Sequence, residues 1–416
     1  GIVVDKKKGT GGLTLNGTKI YYNVAKNFGG GFFMEAANGL VNAILNSGSI
    51  MNNSAGYGGG IYVLQENSCS AVLNISSEKF KVQENAAEAD GGGIYLYHQM
   101  ESSGSISADI NNGIINSNIS GQDGGGLYLN SGNLSINSGN IKSNVAQRNG
   151  GGIYVLDGVI NINGGFIEKN ISNENGGGIY SNANINMNNG NVQYNTSSNG
   201  NGSGIYLSND SKFSFLNGKV AYNTASCSTS ISNMTAKKSI CGVGGGVYIE
   251  KGTFSMYDES NNAGTGAIYG NVASYAADDL FATGKNTKFD AISVIEMKKS
   301  DEYMTSDSWF EDFPEGEEHM SLNKDNRVNL ISKGRYKKLS NDELVDDMIA
   351  ATTVLNRDCT DYIAITMGKG IGDLSLQVKD TNVQSDQIFL YKLEYVKAND
   401  NDNGDLSMII SVDSSK

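Results

Sequence analysis

The chain is poor in the residues that usually carry chemistry or punctuate a fold. Its 416 residues include one Pro, one Trp, two His and four Cys. With a single Pro, the many turns of so long a chain must be made by other residues. Four Cys (Cys69, Cys227, Cys241 and Cys359) are too few for a disulfide framework, and no CxxC pair occurs. With only His98 and His319 as imidazoles, no zinc-site spacing exists. No run of about 18 apolar residues is present, so no segment reads as a membrane-spanning helix. Basic residues are in deficit: 31 Lys and Arg against 44 Asp and Glu leave a net charge of −13, which disfavours nucleic acid and anionic lipid as partners. A start at Gly1 without Met or leader fits a mature or excised ectodomain, and equally a cloned fragment.

Glycine and asparagine are abundant, and they are periodic. A short apolar segment followed by Asn recurs at Ile20xxAsn23, Ile50xxAsn53, Val82xxAsn85, Ile115xxAsn118, Ile141xxAsn144, Ile167xxAsn170, Val192xxAsn195, Val220xxAsn223 and Ile268xxAsn271. An aromatic follows the Asn by ten positions at Phe33, Tyr95, Tyr128, Tyr154, Tyr180 and Phe281, usually after a glycine triplet. Tyr62, Tyr206 and Tyr248 continue the series at offsets of nine, eleven and twenty-five. Nine copies with a fixed internal offset define a repeat architecture.

The Asn positions advance by 30, 32, 33, 26, 26, 25, 28 and 48 residues, so the minimal unit is about 26 residues. Within it, three short apolar or alternating runs (153–156, 159–162 and 166–167) are separated by Asn, Gly and Asp. Three strands and three corners per unit describe one turn of a parallel β-solenoid. Several Gly per unit and no apolar period near 3.6 argue against helical repeats. The expected fold is all-β: a right-handed parallel β-helix of about nine coils, roughly 45 Å long at a coil rise of about 4.8 Å. The apolar residue three before each Asn then faces inward, the Asn amides form a ladder in the corner, and the Tyr side chains form an external ladder.

Composition changes near residue 284. Of the 54 Gly, 47 lie in residues 1–283, whereas the last 133 residues hold 41 charged side chains against 34 in the first 283. We therefore divide the chain into a solenoid, 1–283, whose first 19 residues form a cap or incomplete coil, and a smaller α+β or β-rich capping domain, 284–416. In the latter, Ser340-Asn-Asp-Glu343 opens an expected helix of about 15 residues, and strands are expected at 362–366, 374–378, 388–396 and 406–412.

Candidate binding residues lie where the coils are longer than the minimum. The extra length at 65–70 and 97–110 falls at one register, which predicts protrusions on one face carrying Tyr97, His98 and Met100. A second insertion, between Cys227 and Cys241, carries Met234, Lys237 and Lys238; its two Cys are either bridged at the loop base or free. A lone His on a loop is far more often a surface residue than a ligand, and an insertion is more often tolerated than functional. Asp400, Asp402 and Asp405, around Gly404, resemble the start of a calcium loop, but Ile410 stands where its bidentate Glu belongs, and a polar hairpin turn is the stronger reading. No other cofactor is implied. Asp90 and Asp123 each precede a glycine triplet and stack on adjacent coils, about 4.8 Å apart. That spacing suits a catalytic or metal-holding pair. Asn149 and Asn175 at the same position favour a plain turn role.

The paired signatures Φ-x-x-Asn and Gly-Gly-Gly-Ile-Tyr resemble the FxxN and GGA[ILV] repeats of the chlamydial polymorphic outer-membrane proteins, over residues 20–281. Here Gly replaces Ala, the first motif residue is Ile or Val, and residues 284–416 are not expected to form an autotransporter barrel; the segment around Trp309 looks like those following such repeats in Gram-positive surface proteins. The resemblance implies a right-handed β-helix and a non-enzymatic extracellular adhesin of the bacterial surface, displaying loops to a protein or glycan of a host or neighbouring cell. A carbohydrate-active β-helix enzyme and a purely structural spacer are the alternatives.

Overall fold

The repeat coils in register from end to end. In the computed structural model the described residues are 1–6, 10–37, 39–99, 103–227, 241–255, 266–274 and 278–282, together with the strand backbones 287–291, 309–312, 318–322, 328–333, 336–338 and 363–367. A short coil turns through four strands, Ile153–Val155, Val159–Ile162, Phe166–Glu168 and Ile171–Ser172. Each pairs parallel with its counterpart one coil on: Ile153 with Ile179, Ile160 with Ile185, Ile167 with Val192 and Ile171 with Thr196. The fourth strand, two residues directly after the ladder Asn, is one more than the sequence suggests.

The result is a right-handed parallel β-solenoid of about eight turns. Its faces are a tyrosine sheet, a ten-stranded second sheet, a nine-stranded asparagine sheet and an eight-stranded short sheet. Nine ladder positions bound eight turns, which reconciles the expected nine coils with the observed winding. No described segment is a helix long and apolar enough to cross a membrane.

Alternation places one side of every strand inside. Ile20, Ile50, Val82, Ile115, Ile141, Ile167, Val192, Val220 and Ile268 form one internal column, none more than 6% exposed. Each such side chain contributes about 1.5–3 kcal/mol by leaving water. The short coils close through the glycine triplet, whose members act differently. Gly150 turns the chain at φ +66°, a Cβ on Gly151 would lie 2.5 Å from the Gly177 carbonyl oxygen, and one on Gly152 would lie 2.9 Å from the Asn170 amide.

A second left-handed position escapes sequence inspection. The residue before the ladder Asn has φ between 53° and 57° at Tyr22, Asn52, Glu84, Ser117, Ser143, Lys169, Tyr194 and Tyr222. None of these is Gly, so each carries a strain of about 1–2 kcal/mol. The bonds made by the adjacent buried Asn hold the turn in place.

Most of the extra length of the early coils lengthens strands. Ile61–Gln65 and Ile94–His98 have five residues where Ile153–Val155 has three, and Ser70–Ile75 and Ser105–Ile110 have six where Val159–Ile162 has four. The coil is wider there: of the two segments expected to protrude, Gln65, Ser70, Tyr97, His98 and 105–110 belong to strands, and 100–102 lie outside the described residues. At the far end the tyrosine sheet continues into antiparallel strands: Ile363–Met367 pairs with Leu280–Ala282, and Trp309–Asp312 pairs with Ile363–Met367. The strand expected at 362–366 is thus present one residue later. Those at 309–312, 318–322, 328–333 and 336–338 were not foreseen. The expected helix from Ser340 and the strands at 374–378, 388–396 and 406–412 lie outside the described residues.

Candidate functional site

Four rows of side chains run along the solenoid axis, and together they define what its surface offers. The innermost is the asparagine ladder. In Asn118, Asn144, Asn170 and Asn195 the side-chain Nδ2 donates to Oδ1 of the next coil's Asn at 3.0, 3.0, 3.0 and 2.9 Å. Each also donates to a backbone carbonyl of the preceding coil, as Asn170 does to Ile141 at 2.9 Å. The ladder runs from Asn23 and Asn53 through Asn85 to Asn223 and Asn271, and Asn271 hands its amide to the Asp279 carboxylate at 2.7 Å. These groups are consumed by the fold, in keeping with the rule that buried polar groups are paired.

The second row is aromatic. Tyr62, Tyr95, Tyr128, Tyr154, Tyr180, Tyr206 and Tyr248 stack outside the coil with ring centroids 4.6–5.1 Å apart, flanked by Phe33 and Phe281. The rings point out as alternation requires, yet Tyr62, Tyr95, Tyr128 and Tyr206 are buried. At this spacing each ring covers the faces of its neighbours, so the ladder offers edges and hydroxyls in place of the open faces expected of an external ladder. Burial raises the pKa of all seven phenols, Tyr248 to about 12.

Asp90 and Asp123 belong to a row in the turn before the glycine triplet. Asp90 Oδ1 accepts the Asp123 N–H at 2.9 Å, Asp123 Oδ1 accepts the Asn149 N–H at 2.9 Å, and Asn149 and Asn175 repeat the contact one coil further on. Asp123 is also paired with Arg148. Burial pushes the Asp90 carboxyl above the usual range; the Asp123 N–H that it accepts opposes this, while the Asp123 carboxylate adds to it. Both acids thus serve as turn acceptors, the role that Asn takes in later coils.

Tyr97 and His98 end the strand Ile94–His98. The Tyr97 ring packs against Tyr95 at 6.4 Å. His98 occupies the core-facing register opposite Gln65, half-buried, with Nδ1 enclosed, so it is not the loop residue that the sequence suggested. Cys227 and Cys241 are bonded, 14 residues apart. Met100, Met234, Lys237, Lys238, Asp400, Asp402 and Asp405 lie outside the described residues, and the calcium reading with them. Among the described residues no three His, Cys, Asp or Glu side chains converge.

No family model, no curated protein and no solved structure matches the chain.

The fourth row is one that the repeat motif does not announce. At the corner between the second and asparagine sheets, Asn137 donates to Asn111, Asn163 to Asn137 and Asn188 to Asn163, at 2.8, 2.8 and 2.9 Å. Asn46 donates to Asn16 at 2.9 Å in the same manner. Unlike the inner ladder, this row faces water: Asn137, Asn163 and Asn188 are exposed. A signal was available, because Asn16, Asn46, Asn111, Asn137, Asn163 and Asn188 each stand seven residues before a ladder Asn.

Proposed function

We propose that this chain is a non-catalytic binding rod of a bacterial cell surface, an adhesin-like solenoid that holds recognition elements away from its point of attachment. The observation that carries this reading is the self-saturation of the coil. Ladder amides, turn carboxylates and tyrosine faces are spent on neighbouring coils, while variation between repeats is concentrated at a few positions along the axis. A stack of this kind is stiff, and its length scales with coil number. The bridged Cys227–Cys241 pair fits an oxidising, extracellular setting. The likeness of the repeat to the chlamydial surface-protein motif supports the same placement. Partners of this class are proteins or glycans of a host or neighbouring cell.

The carboxylates that a polysaccharide-cleaving enzyme would need are weakly provided for. Asp90 and Asp123 are engaged as turn acceptors, which supports binding without turnover. The test is a binding screen of the purified chain against cell-surface proteins and a glycan array, repeated after residues 228–240 are replaced by a short Gly-Ser linker, with polysaccharide chain length followed in parallel. Saturable binding without shortening of any polysaccharide is the expected result. Turnover of a glycan, abolished by Asp123→Asn, would overturn the reading.

A further inference from the structure

The corner row has unspent bonding capacity, and beside it lies a part-exposed aromatic ring outside the hydrophobic core. An amide has two N–H donors and two acceptor lone pairs. At Asn137 and Asn163 one donor and one acceptor are used between coils, and at Asn188 one donor is used, which leaves a donor and an acceptor available to a ligand at each coil, about 4.8 Å apart. Their mutual bonds fix the orientation of the amides, so little side-chain entropy is lost on binding. Three residues after Asn163, across Gly164 and Gly165, Phe166 stands 40% exposed on the outer side of the asparagine sheet. Its register neighbours are Asn140 on one coil and Asn191 on the next. An apolar ring framed by amides is therefore set beside a straight amide row. The segments 137–140, 163–166 and 188–191 contain no charged residue.

We propose that this corner is a subsite for a neutral, extended polysaccharide of the β-1,4-linked class, lying along the solenoid axis. The chemistry selects the class. A neutral surface of paired donors and acceptors suits vicinal hydroxyls, and an exposed ring accepts the apolar C–H face of a pyranose. An extended β-1,4 chain advances by close to one coil rise per sugar, about 4.8 Å, so successive sugars meet successive Asn. A curled α-linked chain meets one or two rungs and then departs. The site rests on the reading of the chain as a binding rod but is separate from the Cys227–Cys241 loop.

The test is calorimetric titration of the full chain with cellohexaose and chitohexaose, with maltohexaose as the curled control. A β-1,4 hexasaccharide binds saturably and maltohexaose binds at least tenfold more weakly. Phe166→Ala and Asn163→Ser each raise Kd about tenfold, Phe166→Tyr restores affinity, and replacing residues 228–240 leaves it unchanged. Phe166 is exposed, so its variants keep the parent Tm and report on binding alone. The proposal is overturned if neither β-1,4 hexasaccharide binds, if Phe166→Ala binds like the parent, or if affinity disappears with the loop. Shortening of the hexasaccharide during titration would sink the non-catalytic reading, while Phe166→Ala still decides this one.

Discussion

Asn144 and Asn170, twenty-six residues apart in sequence, share two hydrogen bonds that run the same way: the backbone N–H and the Nδ2 of Asn144 both donate to Oδ1 of Asn170, each at 3.0 Å. One side-chain oxygen thereby satisfies a buried main-chain group and a buried side chain of the neighbouring coil. Removing it strands both. Asn170→Ala should destabilise the solenoid by about 3 kcal/mol, since each buried polar group left unpaired costs about 1–3 kcal/mol. Asn170→Asp keeps the acceptor but loses the donors to Ile141 and Asn195 and buries a charge, so it should cost at least as much near neutral pH and less in acid. Thermal and urea unfolding followed by circular dichroism read both.

Glycine substitutions separate strain from collision. Gly151→Ala places a Cβ 2.5 Å from the Gly177 and Ile171 carbonyl oxygens, so the coils must part. A loss of about 1–3 kcal/mol or more is expected. Gly17 has φ +68° but nothing within 4 Å of its would-be Cβ, so Gly17→Ala should cost only about 1 kcal/mol of backbone strain. Equal Tm losses for the two would contradict the account of coil spacing.

The tyrosine stack predicts an alkaline limit. Burial raises the ladder phenols above their ordinary value of 10.0, Tyr248 to about 12. Because the folded values are the higher ones, the stabilisation is complete below pH 10 and is lost as pH rises through the folded values. Phenolate absorbance should therefore show the ladder ionising only as pH rises through these raised values, together with loss of the β signal. Ladder ionisation without unfolding would count against the packing described.

Asp90 gives the acid-side counterpart. Its folded carboxyl is raised above 3.8, chiefly by burial, so its stabilisation is present below that pH and is lost as pH rises through the folded value. Asp90→Asn retains an oxygen for the Asp123 N–H and removes the buried charge. The variant should be more stable than the parent at pH 7, with the advantage vanishing towards pH 3. A Tm difference that does not vary with pH would show that the carboxylate is not what burial penalises.

Much of the fold was legible because the ladder Asn and the internal aliphatic column keep one residue type at a constant offset. Stacked geometry turns that constancy directly into identity. The left-handed residue before each Asn was illegible for the opposite reason. Tyr22, Glu84, Ser117 and Lys169 share a backbone angle and no side-chain chemistry, since the constraint is imposed by the Asn that follows. For the tyrosines the sequence specifies direction and not exposure, because alternation says which way a ring points and nothing about what lies on its faces. The strand position of His98 is not legible in the sequence, because strand extension and loop insertion lengthen a coil by the same count. The corner Asn row is hidden for a simpler cause: among so many surface Asn, a second periodic series is hard to tell from composition.

The corner row and the inner ladder differ in one further respect. Inside, each amide gives its hydrogen to the following coil, as Asn118 does to Asn144; at the corner each gives it to the preceding one, as Asn163 does to Asn137. The two lines of amide dipoles therefore oppose one another along the axis. In the coils that carry both, such as those of Asn137 and Asn163, the corner row thus offsets part of the inner ladder's axial polarity.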